Sequence, residues 1–233
     1  MKTTNKFKTP STLSISFIAI ALISAITCFS SCSKNDNQVM AGASVMAVNS
    51  AQASAPQDFY VDNTKENSSG IAYTQSSGYF IVGTGSSHSI QFKTSSTSTV
   101  NATTNDNFAP GGFYTVFYTD NSGTASYQDD RTAPQGPDAR VRFINLSSAM
   151  TASADFASTV GGKSTGIASN VAYQAATSYY ELSAMATTFT FSATGSSTVL
   201  LNIPVTLLAG KIYTIFISGS TSATITYTLV AEN

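Results

Sequence analysis

The sequence predicts an all-β protein, two tandem antiparallel β-sandwich domains behind a cleaved N-terminal signal. Three observations predict it. Ser/Thr-rich stretches place aromatic and β-branched residues at every second position. The chain repeats itself once along its length. Beyond the N-terminal apolar run, no stretch carries a 3.6-residue apolar period.

The first element is the signal. Lys2, Lys6 and Lys8 give a positive start, residues 13–26 are almost wholly apolar, and Phe29-Ser30-Ser31-Cys32 offers a small-residue cleavage site. The apolar run is shorter than the roughly 20 residues needed to span hydrocarbon, which favours a cleaved signal over a membrane helix. The pattern resembles the bacterial lipoprotein signal, cut before a cysteine whose thiol carries diacylglycerol. Cys32 matches that position, with Ser31 as the small residue before it. Cys28 is the alternative, but it follows Thr27, which is larger than that peptidase prefers. The resemblance implies a signal peptide over 1–31, lipid attachment at Cys32 and a flexible tether over 32–42. The partner at this end is the membrane, held through lipid on Cys32, each buried methylene contributing about 0.8 kcal/mol. Ser33-Lys34-Asn35-Asp36-Asn37 loosely resembles the surface-export signals of Bacteroidota lipoproteins. The expected location is the outer membrane of the cell envelope, with a lean to its surface face.

Composition excludes several classes. Net charge is −1 for the whole chain, and loss of the three signal lysines makes the rest more acidic. Without a basic footprint no nucleic-acid partner is expected. Of the two cysteines only Cys32 survives cleavage, with its sulfur taken by lipid. That leaves no disulfide, thiol nucleophile or cysteine metal site. Only 10% of residues are charged, so serine and threonine supply the polar surface of the strands.

The clearest strands are Thr188-Phe189-Thr190-Phe191-Ser192 and residues 224–229, with Ile225, Tyr227 and Leu229 inward. Five ordered matches relate the two halves. Val45-Met46-Ala47-Val48-Asn49 pairs with Val141-Arg142-Phe143-Ile144-Asn145, Asp58-Phe59 with Asp155-Phe156, and Gly70-Ile71-Ala72 with Gly166-Ile167-Ala168. Ile90-Gln91-Phe92 then pairs with Phe189-Thr190-Phe191, and the segment from Gly111 to Phe117 with that from Gly210 to Phe216. Between the copies, Gly123, Pro134, Gly136 and Pro137 break the alternation. The expected boundaries are a first sandwich over 43–128, with a last strand around 125–128, a linker over 129–138 and a second sandwich over 139–233. Each is large enough to bury a core without disulfides.

Ala139-Arg140-Val141-Arg142-Phe143-Ile144-Asn145-Leu146-Ser147, followed by Asp155 and later by Leu208-Ala209-Gly210-Lys211-Ile212-Tyr213-Thr214-Ile215, resembles the opening and closing signatures of the bacterial family called domain of unknown function 4397. The first copy carries degenerate versions, Met46-Ala47-Val48-Asn49 and Pro110-Gly111-Gly112-Phe113-Tyr114-Thr115. The resemblance implies immunoglobulin-like sandwiches in tandem on Bacteroidota lipoproteins, and brings no activity or catalytic residue with it.

Candidate chemistry is sparse, and no catalytic residue, metal site or cofactor is expected. His88 is the single histidine; it reads as a surface turn residue, and no Gly-x-Ser-x-Gly elbow accompanies it. One histidine without a free cysteine is a poor zinc set. Asp58 and Asp155 read as turn aspartates accepting backbone N–H groups. Asp120-Asn121-Ser122-Gly123 and Asp129-Asp130 hint at calcium but lack a known loop spacing. Glu66, Glu181 and Glu232 show no sign of a paired glycosidase acid and base. Among eleven tyrosines, Tyr79, Tyr118 and Tyr180 are the candidate ligand contacts, since an exposed ring can stack on a sugar or anchor a protein. The absence of Trp tells slightly against glycans.

The expected function is therefore a non-catalytic cell-envelope module for binding, adhesion or interaction with a protein or polysaccharide partner, acting through the loops after Val48 and Ile144. The alternatives are a structural spacer or accessory subunit of an envelope complex and, more distantly, a glycan-binding module. Two protease-resistant halves are expected, separable near Arg131 or Arg140.

Overall fold

A computed structural model describes residues 42–150 and 152–233. The signal peptide, Cys32 and the tether up to Ala41 lie outside the described residues. The first repeat contains β1 (Ala43–Asn49), β2 (Gln57–Val61), β3 (Thr64–Lys65), β4 (Ser76–Val82), β5 (Gly85–Thr94), β6 (Val100–Phe108), β7 (Phe113–Thr119) and β8 (Gly123–Asp129), with one short 3-10 turn at Asp120–Ser122. The second contains β9 (Asp138–Asn145), β10 (Ala154–Val160), β11 (Lys163–Val171), β12 (Ala175–Ala176), β13 (Tyr180–Ser183), β14 (Ala186–Ala193), β15 (Val199–Thr206), β16 (Ile212–Ser218) and β17 (Thr226–Ala231).

Each repeat is a β-sandwich. The first packs sheet β3-β2-β5-β6 against sheet β4-β1-β7-β8; the second packs β11-β10-β14-β15 against β12-β9-β16-β17, with β13 also on β9. Pairing is antiparallel except for β1 with β7 and β9 with β16, which run parallel. The alternation expected for β14 is present, with Phe189 and Phe191 buried and Thr188 and Thr190 on the other face.

Four strands break the half-polar pattern of an ordinary sandwich, because both of their faces are covered. Every residue of β1 and β16 is buried. Ala43, Val45 and Ala47 enter the first core, while Met46 and Val48 point the other way into a third cluster with Phe117, Ile144, Leu146, Phe216 and Val230. That cluster joins the two inner sheets. The layers therefore run outer, inner, inner, outer, and the repeats form one four-layer body. Burying each large apolar side chain of this seam contributes about 1.5–3 kcal/mol.

The hydrogen bonds also revise one repeat match. Asn49 Nδ2 donates to the carbonyl of Ile71, and its counterpart Asn145 donates to that of Val171. Thr74 N donates to Asn49 and Gln174 N to Asn145 in the same way. Ile71-Ala72-Tyr73-Thr74 is thus equivalent to Val171-Ala172-Tyr173-Gln174, and not to the segment beginning at Gly166-Ile167-Ala168. Thr74 and Gln174 share a left-handed φ, 67° and 58°. The closing match holds atom by atom, since Tyr114 OH accepts from Ala109 N and Tyr213 OH from Leu208 N, each after a turn glycine of positive φ, Gly111 and Gly210.

Candidate functional site

A cluster of ionisable groups lies in the seam. β8 ends at Asp129, and Glu232 holds the equivalent position after β17, since Asp129 pairs with Phe113 and Glu232 N donates to the equivalent Ile212. Both carboxylates turn toward Arg142 on β9. Its Nη2 lies 2.6 Å from Asp129 Oδ1 and 3.3 Å from Glu232 Oε1, with side-chain exposure 3% for the arginine and 0% for both acids. Arg142 also donates to Thr214 Oγ1 and the Gln128 carbonyl, and its guanidinium lies over the ring of Tyr179. Tyr79 OH and Thr115 Oγ1 donate to Asp129, Tyr179 OH and Thr214 Oγ1 to Glu232.

Two carboxylates share one guanidinium here. Burial, reinforced by the Asp129 charge, pushes Glu232 above the usual carboxylate range, and the Arg142 charge and donated hydrogen bonds pull it back only in part. Burial likewise raises Tyr79 and Tyr179. With both acids sealed from solvent, no external substrate reaches them. The cluster acts as a lock between repeats.

The three tyrosines do not come together as a stacking platform. Tyr118 is 7% exposed and stacks on Phe92 inside the first core, which corrects its reading as a ligand contact. Its parity with Tyr114 and Val116 on β7 dictates that inward position. Tyr79 is half-buried, with its hydroxyl on Asp129 and its ring edge-on to Phe113. Tyr180 is half-buried against the second core beside Phe143.

The loops after β1 and β9 are also engaged at the seam. Gln52 Oε1 accepts from Ser220 N and Oγ of the other repeat, and Ser148, at the position equivalent to Gln52, donates its hydroxyl to Asp120 of the first. Their interiors are fixed by Asn49 and Asn145, whose Oδ1 atoms accept from Ala51 N and Ser147 N. The acids weighed as calcium ligands are each taken elsewhere: Asp120 by Gln52 N and Ser148, Asp129 by Arg142, and Asp130 by Arg140. Among the described residues no group of three or more His, Cys, Asp or Glu is placed to hold a metal.

His88 Nδ1 lies 2.7 Å from Asp62 Oδ2, its ring stacks on Phe108, and its Nε2 is buried without a partner. The histidine is side-on in a strand and packed, rather than carried in an open turn.

What remains open is the outer face of each repeat, and the two faces differ. Asp58 and Asp155 mark equivalent places. Asp58 accepts from Ser95 Oγ and Ser96 N, Asp155 from Thr194 Oγ1 and Gly195 N, as expected of turn aspartates, and Asp155 accepts further from Asn170 N. Hydrogen bonds, the Asn170 N–H foremost, hold the Asp155 carboxyl below its usual range.

Around Asp58 the first repeat packs Tyr60, flanked in register by Lys65 and Gln91, with Lys93 opposite Asp58. Lys65 Nζ bridges to Asp58 at 2.8 Å and Lys93 Nζ sits 4.0 Å above the Tyr60 ring. In the second repeat the same positions are Ala157, flanked by Gly166 and Thr190, with Ser192 opposite Asp155. Every side chain is smaller. A groove of about 650 Å³ opens there, bounded also by Val199 and the serines of the β14–β15 turn.

A protein-family model described as "Domain of unknown function (DUF4397)" matches residues 43–153 and again 148–233. No curated protein matches the chain. Among solved structures, it is similar to CBMbc (family CBM26) from Eubacterium rectale Amy13K, solved in complex with maltoheptaose, over 80% of this chain and 96% of that one, at 10% identity and a TM-score of 0.28.

Proposed function

We infer that this chain, which belongs to the DUF4397 family through both of its repeats, is a non-catalytic binding module of the cell envelope, tethered by lipid on Cys32 and presenting its outer sheets to a partner. One observation carries the reading: the Arg142, Asp129 and Glu232 cluster is sealed between the repeats, and the groove on the outer sheet of the second repeat is uncharged apart from Asp155. Sites of turnover need an acid, base or nucleophile that substrate can touch. A rigid sheet face with a shallow groove suits recognition.

The lipoprotein-type signal and Cys32 support the location in the envelope. Among the described residues no helix is long and apolar enough to cross a membrane. The sealed seam supports a second reading, a rigid spacer that holds an envelope partner away from the bilayer.

Immobilised protein incubated with solubilised envelope tests the binding reading, run beside ester, peptide and glycoside hydrolysis assays. A specific envelope component is retained and no substrate turns over. Turnover that disappears in His88→Ala contradicts the reading. Retention of nothing specific, with an intact envelope complex lost only on deletion of the chain, favours the spacer.

A further inference from the structure

We propose that the outer-sheet groove of the second repeat is a binding site for a neutral, hydroxyl-rich oligosaccharide; the proposal rests on the binding-module reading above and assigns its site and ligand class. The repeats serve as each other's control. They share the strand order, the aspartate and the turn that holds it, and differ in the edge strand, two residues in β3 and nine in β11, yet the first repeat fills this face with Tyr60, Lys65 and Lys93 where the second carries Ala157, Gly166 and Ser192.

Gly166 shows that the emptiness is not a backbone requirement. Its φ is not in the left-handed region, and a Cβ built on it meets nothing within 4 Å. A larger residue would be accommodated there and would occupy the groove. The volume, about 650 Å³, lies within the range of ligand clefts.

The lining selects the ligand by exclusion and by match. No lysine, arginine or histidine lines the groove, so a phosphate, sulfate or carboxylate ligand finds no counter-charge. A cation finds one carboxylate that already accepts three hydrogen bonds. Thr190, Ser192 and the turn serines each donate and accept, which suits ligand hydroxyls that do the same. Ala157 and Val199, the latter 47% exposed, supply apolar patches for the C–H face of a sugar ring. Asp155, ionised and with accepting capacity left on Oδ2, can take one hydroxyl proton in a charge-assisted bond. The groove faces away from the seam and stays accessible in the four-layer body.

The test is titration calorimetry of the purified full chain with neutral hexasaccharides of glucose, xylose, mannose and N-acetylglucosamine, and with an uncharged Ser/Gly peptide of similar length. The plugged variant Ala157→Tyr/Gly166→Lys restores the first repeat's side chains to the groove. We expect saturable binding of at least one hexasaccharide, weakened about tenfold or more by the plug, one decade being about 1.4 kcal/mol, at unchanged melting temperature. No hexasaccharide binding, or binding indifferent to the plug, overturns the proposal. Peptide binding that the plug abolishes, with no sugar bound, assigns the groove to an extended protein segment and overturns it too. If the plugged variant still captures its envelope component, the groove assignment falls while the binding-module reading stands.

Discussion

Phe117 and Phe216 occupy equivalent positions on β7 and β16 and meet each other across the seam, ring centroids 5.2 Å apart and planes at 75°. A residue that touches its own counterpart lies on a pseudo-twofold axis, so the two repeats pair as the halves of an isologous dimer would. The Gln52–Ser220 and Ser148–Asp120 contacts flank that axis from equivalent loops. Both rings are fully buried.

Truncating either ring should open a cavity in the seam. Phe117→Ala is expected to cost about 3–5 kcal/mol in urea unfolding, the usual range for a buried phenylalanine. Phe117→Ala/Phe216→Ala should cost less than the sum of the single changes, because the second truncation enters a cavity already made. Additive losses would mean that the rings do not share a packed interface.

Arg142 holds two buried acids, so removing it alone should harm more than removing the whole charge cluster. Arg142→Met leaves Asp129 and Glu232 uncompensated and should cost roughly 3–5 kcal/mol. Arg142→Met/Asp129→Asn/Glu232→Gln should recover much of that loss. Met46 stands at the equivalent position of the first repeat, so the seam already tolerates methionine on one side. Thermal melts of the two variants decide the order.

Glu232 and four of the aspartates should give opposite slopes of stability with pH. The Glu232 pKa is raised in the folded state, so the native protein binds its proton more tightly than the unfolded chain does. That contribution is complete below the ordinary glutamate value and is lost as pH rises through the raised one. Asp58, Asp62, Asp130 and Asp155 are lowered, so their contributions are present above the ordinary aspartate value and vanish as pH falls. The whole protein should therefore lose stability below about pH 4, near the unperturbed carboxylate values. Glu232→Gln should flatten the decline on the alkaline side of that point and leave the acid limb intact, as read from denaturant midpoints across pH.

Tyr118→Ala should destabilise by about 3 kcal/mol or more through loss of core packing, and Tyr180→Ala by less, its ring being only half-buried. His88→Ala should leave partner capture unchanged, since the ring packs on Phe108 away from the second repeat's groove. A loss of capture in His88→Ala with an unchanged melting temperature would place the working surface on the first repeat.

The strands that face one core were legible from their alternation, and Phe189 and Phe191 show why: Thr188 and Thr190 beside them lie on the other, half-open face. The tandem repeat was legible in its closing motif for a similar reason, since Tyr114 and Tyr213 do the same structural work in each copy. The seam was written less plainly. Val45-Met46-Ala47-Val48 and Ile215-Phe216-Ile217 are continuous apolar runs, the pattern of strands buried on both faces, but nothing local says that the second cover is the other repeat. Nothing local in the Arg142 motif signals a buried charge, since Asp129 lies across the linker and Glu232 comes from the far end of the second repeat. The mismatch at Gly166-Ile167-Ala168 arose because small residues are poor landmarks. Tyr73 and Tyr173, each after an alanine and before a left-handed residue, carry the correct register. The groove was invisible for a related reason, since it consists of what the second repeat lacks relative to Tyr60, Lys65 and Lys93.

The repeats close on each other as one body and leave their outer sheets uncovered. Differential scanning calorimetry of the intact chain tests it most directly. One transition, with calorimetric and van't Hoff enthalpies in agreement, is the expected result, and Arg142→Met should lower it as a single peak. The shared seam replaces the expectation of two independent halves, so two separable transitions, or trypsin cleavage at Arg131 that releases two stably folded halves, would contradict it.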